Sequence, residues 1–132
     1  MTDALAMEVR LPLAFDAAVD ATRAALKTEG FGILTEIDLR AAFMEKLGRE
    51  FRPYVILGAC NPPLAFAAMT ADPAIGLLLP CNVVVRQEED GGNAVAFMDP
   101  AAVLDLVGRP EITELGREVR EKLYRVRDAL AE

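Results

Sequence analysis

Two cysteines, each followed directly by an asparagine, are the residues of this chain best suited to chemistry. Cys60-Asn61 lies in "GACNPPL" ahead of Pro62, and Cys81-Asn82 lies in "LPCNVVV". A thiol can be a nucleophile, a redox partner or a soft-metal ligand, and an amide both donates and accepts hydrogen bonds. If both motifs face one pocket, they predict a ligand-binding site built from Cys60, Asn61, Pro62, Cys81 and Asn82.

Three functions fit these motifs. In the first, the chain is a small-ligand-binding domain, and an anionic or thiol-reactive ligand sits at Cys60 and Asn61, just before a predicted helix N-terminus. In the second, the chain is a thiol-based redox enzyme or sensor, with Cys60 as the nucleophile and Cys81 as its resolving partner. In the third, the chain is a purely structural or interaction homodimer, in which the cysteines are small packed residues, Asn61 caps a helix and Asn82 bonds nearby backbone.

The chain contains no histidine. Cys-His and Ser-His dyads are therefore excluded within it, and a general base near neutral pH would have to be a tuned carboxylate or a thiolate. This favours binding over catalysis. A zinc site would need carboxylates beside the thiols or a second subunit, so we expect no metal. The cofactor stays unknown, and the sequence lacks the phosphate-binding G-x-x-x-x-G-K-[ST] motif.

A second candidate site, formed by acidic residues, lies in the predicted strand "FGILTEIDL". Glu36 and Asp38 are two residues apart, so they project from the same face and could share a proton or bind a cation. Asp38 is also placed to cap the following helix, and Glu36 is placed to face solvent. Glu36 is kept as a candidate ligand-binding residue.

Charge and hydropathy restrict the partners. The net charge is −7, and the basic residues near the C-terminus alternate with acidic ones, which disfavours a nucleic-acid surface. Hydrophobic residues make up 53% of the chain, but Pro, Gly or a charge interrupts each apolar run, which disfavours a membrane span. Met1-Thr2-Asp3-Ala4 lacks the basic start of a secretory signal, so we expect a cytoplasmic protein.

The elements that position these residues follow from hydrophobic periodicity. The patterns predict one domain, 1–132, of the α+β class, with a curved antiparallel sheet of about five strands and helices packed on one face. The order is strand, helix, four strands and helix, with short helical inserts. Strands are expected at 7–13, 31–39, 53–60, 82–88 and 94–98, main helices at 15–29 and 111–130, inserts near 39–47 and 63–71, and a further helix from Asp99-Pro100 through Leu106.

Antiparallel pairing of strands 53–60 and 82–88 would bring the two Cys-Asn motifs to the same end of the sheet. The apolar run Ile75, Leu77, Leu78 and Leu79 is expected to cross the core in an irregular or extended form. Together with the strand Val83–Val85, this run offers more apolar surface than one small domain buries comfortably. We therefore expect a homodimer.

The segment 30–88, and above all "GACNP" and "GLLLPCNV" within it, resembles the family called domain of unknown function 302. The resemblance extends more loosely to both termini. It implies a TATA-binding-protein-like α+β fold, and it also suggests a homodimer. It implies no activity, and the DNA bending of that fold's namesake is not carried over to this acidic chain.

Overall fold

The computed structural model describes residues 5–131, so the prediction drawn from Met1-Thr2-Asp3-Ala4 lies outside the described residues. The strands are β1 (Ala6–Leu11), β2 (Gly32–Asp38), β3 (Tyr54–Cys60), β4 (Cys81–Gln87) and β5 (Asn93–Met98). The α-helices are α1 (Phe15–Thr28), α2 (Leu39–Leu47), α3 (Pro62–Ala71), α4 (Pro100–Leu104) and α5 (Pro110–Ala131). Two short 3-10 helices cover Pro73–Leu78 and Asp105–Val107.

The five strands form one antiparallel sheet in the order β1-β5-β4-β3-β2. The long helices α1 and α5 cover one of its faces, which confirms the predicted α+β fold. Alternate strand residues point at this helix layer because the pleat has a period of two. Leu57 of β3, Val83 of β4 and Phe97 of β5 are direct neighbours across the sheet and have no exposed surface. They form the centre of the core.

The apolar stripes of both long helices complete that core. In α1 the buried residues include Ala18, Val19 and Leu26, and the buried Thr22 satisfies its hydroxyl by donating to the Ala18 carbonyl at 2.7 Å. In α5 the buried side chains follow the helical period from Ile112 to Val126. The side chain of Thr22, a polar interruption of the α1 stripe, is thus stabilised within its own helix.

Asp38 and Asp99 cap helices, as their positions before helical segments predict. Asp38 accepts from the Ala41 N–H at 3.0 Å at the start of α2. Asp99 accepts from the Ala101 and Ala102 N–H groups at the start of α4 and also from Arg120 of α5, at 2.9 and 2.7 Å. The Asp99 side chain therefore joins β5, α4 and α5.

The strand β2 departs from its simple alternation. A β-bulge interrupts its pairing with β3 between Ile33 and Thr35. Unbroken alternation along "FGILTEIDL" would put Ile33, Thr35 and Ile37 on one side, but beyond the bulge Glu36 lies opposite the core residue Leu57. Thr35 and Ile37 therefore lie on the opposite face of the sheet, because one extra residue reverses the order of the faces.

The apolar run before β4 is neither irregular nor extended. Asp72 accepts from the Ala74 N–H at 3.0 Å and so starts the 3-10 helix Pro73–Leu78. Ile75, Val83 and Val85 are buried in the domain itself, which corrects the expectation that this region supplies surplus surface. In this run and the following strand, Leu77 is the large apolar side chain that stays exposed.

Candidate functional site

The antiparallel pairing of β3 with β4 brings the two Cys-Asn motifs to one end of the sheet. Ala59, the residue before Cys60, lies directly opposite Cys81. This confirms the predicted pairing of the two strands. Both cysteines are free thiols, Cys81 buried and Cys60 half-buried.

A small apolar cavity lies beside the cysteines, between the end of the sheet, α3 and α5. Cys60, Asn61 and Cys81 are on its wall, and its volume is about 30 Å³. The other lining residues are apolar: Phe31, Ala59, Leu64, Ala65, Ala68, Leu79, Pro80, Leu104, Leu115 and Val119. We call this space the cysteine cavity. Pro62 is exposed at the start of α3 and does not line it.

Burial controls the acidity of both thiols. It raises the pKa of Cys60, and burial together with the nearby Cys60 charge raises the pKa of Cys81 to about 11. A thiolate is disfavoured because the apolar surroundings replace the water that would solvate its charge. Near neutral pH the Cys81 side chain is therefore a neutral thiol, the less nucleophilic form.

Asn61 occupies the N-cap position of α3, but its side chain does not cap the helix. Its amide Nδ2 instead donates to the Glu29 carbonyl at 3.3 Å, which ties α3 to the end of α1. Pro62 and Pro63 supply no N–H groups to the first turn. The helix start therefore offers fewer donors to an anion than an ordinary N-terminus, which weakens the anion site expected at Cys60 and Asn61.

Asn82 lies on the opposite face of the sheet from Cys81, because neighbouring strand residues alternate. The buried residues of α1 and α5 pack on the Cys81 side of the sheet, and we call the Asn82 side the open face. One row across it consists of Glu8, Ala96, Val84, Ile56 and Ile37, in register from β1 to β2. A second row contains Arg10, Ala94, Arg86 and Tyr54. A row that is apolar except for Glu8 thus lies beside a row that contains two arginines and a tyrosine.

A cleft of about 520 Å³ lies on the open face, over β1, β5 and β4. Its wall includes the polar side chains of Asn82, Tyr54, Arg86 and Glu8. Apolar residues provide the rest of the lining, among them Leu5, Ala6, Val84, Ala96, Met98 and Val103. We call it the open-face cleft.

The charged group of this cleft was not predicted. The Arg86 guanidinium donates to Glu8 and also pairs with Glu88 at 2.9 Å. Burial would lower the pKa of Arg86, but the hydrogen bond to Glu8 and the surrounding negative charges raise it above its usual value. The signal in the sequence is the spacing of Asn82, Val84 and Arg86, which alternation places on one face of a strand.

Glu36 lies apart from the cysteine cavity and from the open-face cleft. It forms an ion pair with Arg23 of α1, at the edge of the sheet. The bulge in β2 explains this position, since it turns Glu36 towards the helix layer. The structure therefore divides the six predicted site residues among four places: Cys60, Asn61 and Cys81 together, Pro62 exposed at the start of α3, Asn82 on the open face, and Glu36 beside α1.

Two general features of residues 5–131 bear on ligands and location. No group of three or more Cys, Asp or Glu residues in this range could hold a metal ion. No helix in the described range is both long and apolar enough to cross a lipid bilayer. The cytoplasmic location stays a prediction.

Comparisons with known proteins place the chain in a family. The model of the family "Domain of unknown function DUF302" matches residues 7–130. The fold is similar to the crystal structure of an uncharacterised conserved DUF302 protein from Bacillus stearothermophilus, with a TM-score of 0.87 and 27% sequence identity, over 95% of this chain and 97% of that one. No curated protein sequence matches the chain. The chain belongs to the DUF302 family.

Proposed function

We propose that the chain is a small-ligand-binding domain and that its ligand lies in the open-face cleft rather than in the cysteine cavity. The observation that carries the proposal is the difference in volume, about 520 Å³ against about 30 Å³. Sites for small molecules generally have volumes of roughly 300–1,000 Å³, with a few polar groups on an apolar lining. Of the two spaces, the open-face cleft fits this description.

The cysteine cavity fits the packing role of its two thiols better than a ligand role. A cavity needs roughly 10–15 Å³ to hold a water molecule, so a cavity of about 30 Å³ has room for about two or three. Its wall is also apolar apart from Cys60, Asn61 and Cys81. This argues against the anionic ligand that the sequence suggested for Cys60 and Asn61.

Thiol chemistry receives less support than binding. Reactive cysteines have a lowered pKa, set by a nearby positive charge or a helix N-terminus. The pKa of Cys60 and the pKa of Cys81 are both raised by burial. A redox enzyme or sensor would need a different environment around Cys60, its proposed nucleophile.

The binding proposal can be tested by titrating 15N-labelled protein with small aromatic fragments and following the amide NMR signals. We expect the largest shifts at Tyr54, Asn82, Val84 and Ala96, because these residues lie in or beside the open-face cleft. Val84→Trp should abolish the shifts by filling the cleft. Ala67→Trp, on an exposed position of α3, is the matched control and should leave them unchanged. Shifts centred on Cys60 and Cys81 would contradict the proposal.

A second function, self-association, is favoured by the segment from β2 through residue 51. Neither β2 nor α2 contributes a buried residue to the domain. Five large apolar side chains of this segment are exposed: Leu34, Ile37, Met44, Leu47 and Phe51. Large apolar side chains that are exposed together in one short segment favour a protein interface, and a second copy of the chain is the simplest partner.

The contact between copies would be made by side chains rather than by strand pairing. The bulge at Ile33 and Thr35 interrupts the regular ladder of β2, and bulges at sheet edges hinder the addition of a further strand. The rings of Phe43 and Phe51 are 5.0 Å apart and hold the end of this segment together. Phe51 in turn contacts Tyr54 of β3, with ring centroids 6.0 Å apart.

Sedimentation equilibrium tests this assembly with one matched pair of variants. The parent should have twice the chain mass of 14.3 kDa at micromolar concentration. Leu47→Glu should give a monomer, because it places a charge in the proposed interface. Leu77→Glu is the control, since Leu77 is 87% exposed against 64% for Leu47 but lies outside the segment. A monomeric parent, or a dimer that survives Leu47→Glu, would refute this surface.

A further inference from the structure

The charges of the open-face cleft are unevenly balanced. Arg86 and Glu8 are both on the wall and form an ion pair, and Arg86 also contacts Glu88, which lies beside the wall rather than on it. One guanidinium thus faces two carboxylates, so the three side chains together carry an excess negative charge. The neighbouring pair Arg10–Asp90, with a contact of 2.8 Å, is neutral as a pair. The chain as a whole also has a net charge of −7. A negative ligand would be repelled here, and a positive one attracted.

An aromatic ring lies next to this charged group. Tyr54 of β3 is the direct cross-strand partner of Arg86, and it lines the same cleft. Aromatic faces attract organic cations when the positive charge lies within about 6 Å of the ring centre. The cleft therefore presents two independent features that favour a cation, excess carboxylate charge and an aromatic side chain.

The apolar lining restricts the shape of the ligand. Ala96 and Val84 are cross-strand partners on the open face, and their short side chains leave a shallow surface between longer neighbours. Along β4, Asn82 and Arg86 are four residues apart, which corresponds to about 13 Å at the usual rise of a strand. A flat molecule of two or three rings matches this length.

We propose that the open-face cleft binds a planar aromatic cation, whose rings lie on Ala96 and Val84, whose positive charge lies against the ring of Tyr54, and which is attracted by the excess carboxylate charge of Glu8 and Glu88 around Arg86. This inference rests on the proposed binding function and adds the chemical class of the ligand. It replaces the anionic ligand that the sequence suggested. The amide of Asn82 lies at the far end of the same strand and could bind a polar substituent.

Two dyes of the same shape and different charge test the inference. The probes are a cationic benzothiazolium dye and its neutral benzothiazole parent, titrated by fluorescence into the full chain. We expect the cation to bind about tenfold more tightly than the neutral dye, a difference of about 1.4 kcal/mol. Raising the ionic strength should reduce this ratio, because salt screens partly exposed charges.

The double variant Glu8→Gln/Glu88→Gln should lower the ratio of the two affinities to one or below, because the positive charge of Arg86 is then unbalanced, while the neutral dye stays bound. Asp128→Asn is the control, since it removes a carboxylate of α5 that pairs with Arg127 outside the cleft. Thermal unfolding of each variant checks that it is folded.

The results distinguish the preference for a cation from the existence of a binding site in the open-face cleft. If both dyes bind equally and Val84→Trp blocks both, the cation preference is wrong and the binding site stands. Asn82→Trp is a second variant that should block the cleft. If neither dye binds the parent, the open-face site itself is refuted. It is also refuted if Val84→Trp and Asn82→Trp both bind the two dyes as the parent does. A ratio unchanged in the double glutamine variant overturns the role of Glu8 and Glu88.

Discussion

The two faces of the sheet use the same strands for different purposes. On the covered face, Leu57, Val83 and Phe97 have no exposed surface, and the cysteine cavity leaves about 30 Å³ empty. On the open face, their neighbours Ile56 and Val84 are half-exposed, beside a cleft of about 520 Å³. The apolar residues of the two faces therefore have different roles. Packing explains those under the helices, whereas those on the open face form the surface to which we propose that the ligand binds.

The adjacent residues Leu57 and Ile56 test this difference most strongly. Leu57→Ala should lower the free energy of unfolding by about 3 kcal/mol, because it leaves a cavity at the centre of the core. Ile56→Ala should cost roughly 1 kcal/mol, since its side chain is half-exposed on the open face. Urea denaturation of both variants measures the two values. Equal losses would show that the open face is buried as deeply as the covered one.

Substitution of Asp99 tests how strongly the helix layer is attached to the sheet. Asp99→Ala should cost about 2 kcal/mol at pH 7, because it removes a helix cap and a two-point contact with Arg120. Binding at the open-face cleft should be retained, since Asp99 is not on its wall. Asp128→Ala is the control and should change stability little, because Asp128 is exposed and pairs with its neighbour Arg127.

The contribution of Asp99 should also depend on pH. Burial would raise the pKa of this carboxyl, but the hydrogen bonds from Arg120 and from the α4 backbone outweigh burial and lower it. The stabilisation is therefore complete above the pKa of an unfolded aspartate and is lost as the pH falls through the lower folded value. The difference between parent and Asp99→Ala should shrink in urea titrations below about pH 4. A difference that grows on acidification would contradict the ion pair.

The smallest effect on stability is expected at Cys60. Cys60→Ser should change the free energy of unfolding by less than about 1 kcal/mol, because Cys60 is half-buried at a strand end. In the parent, an aromatic disulfide reagent at pH 8 should label Cys60 before Cys81, whose pKa is about 11. The Cys60→Ser and Cys81→Ser variants assign the two phases. Rapid labelling with a plateau below pH 7 would instead favour the thiol enzyme.

Local sequence signals predicted much of the fold. Hydrophobic periods identified the five strands and the two long helices, and the Asp-containing caps before α2 and α4 were read correctly. These features depend on residues close together in the chain. The motifs around Cys60 and Cys81 also identified the family. Their meeting at one end of the sheet followed from the antiparallel pairing of β3 and β4.

The tertiary structure decided which residues of those motifs share a space. Cys81 and Asn82 are neighbours in sequence, yet the pleat separates them to opposite faces of the sheet. The bulge in β2 likewise turned Glu36 towards Arg23, because its position depends on the partner strand β3. Whether an apolar face becomes a core or a cleft depends on which face the helices α1 and α5 cover. That choice is made by packing between distant segments, which no local period encodes.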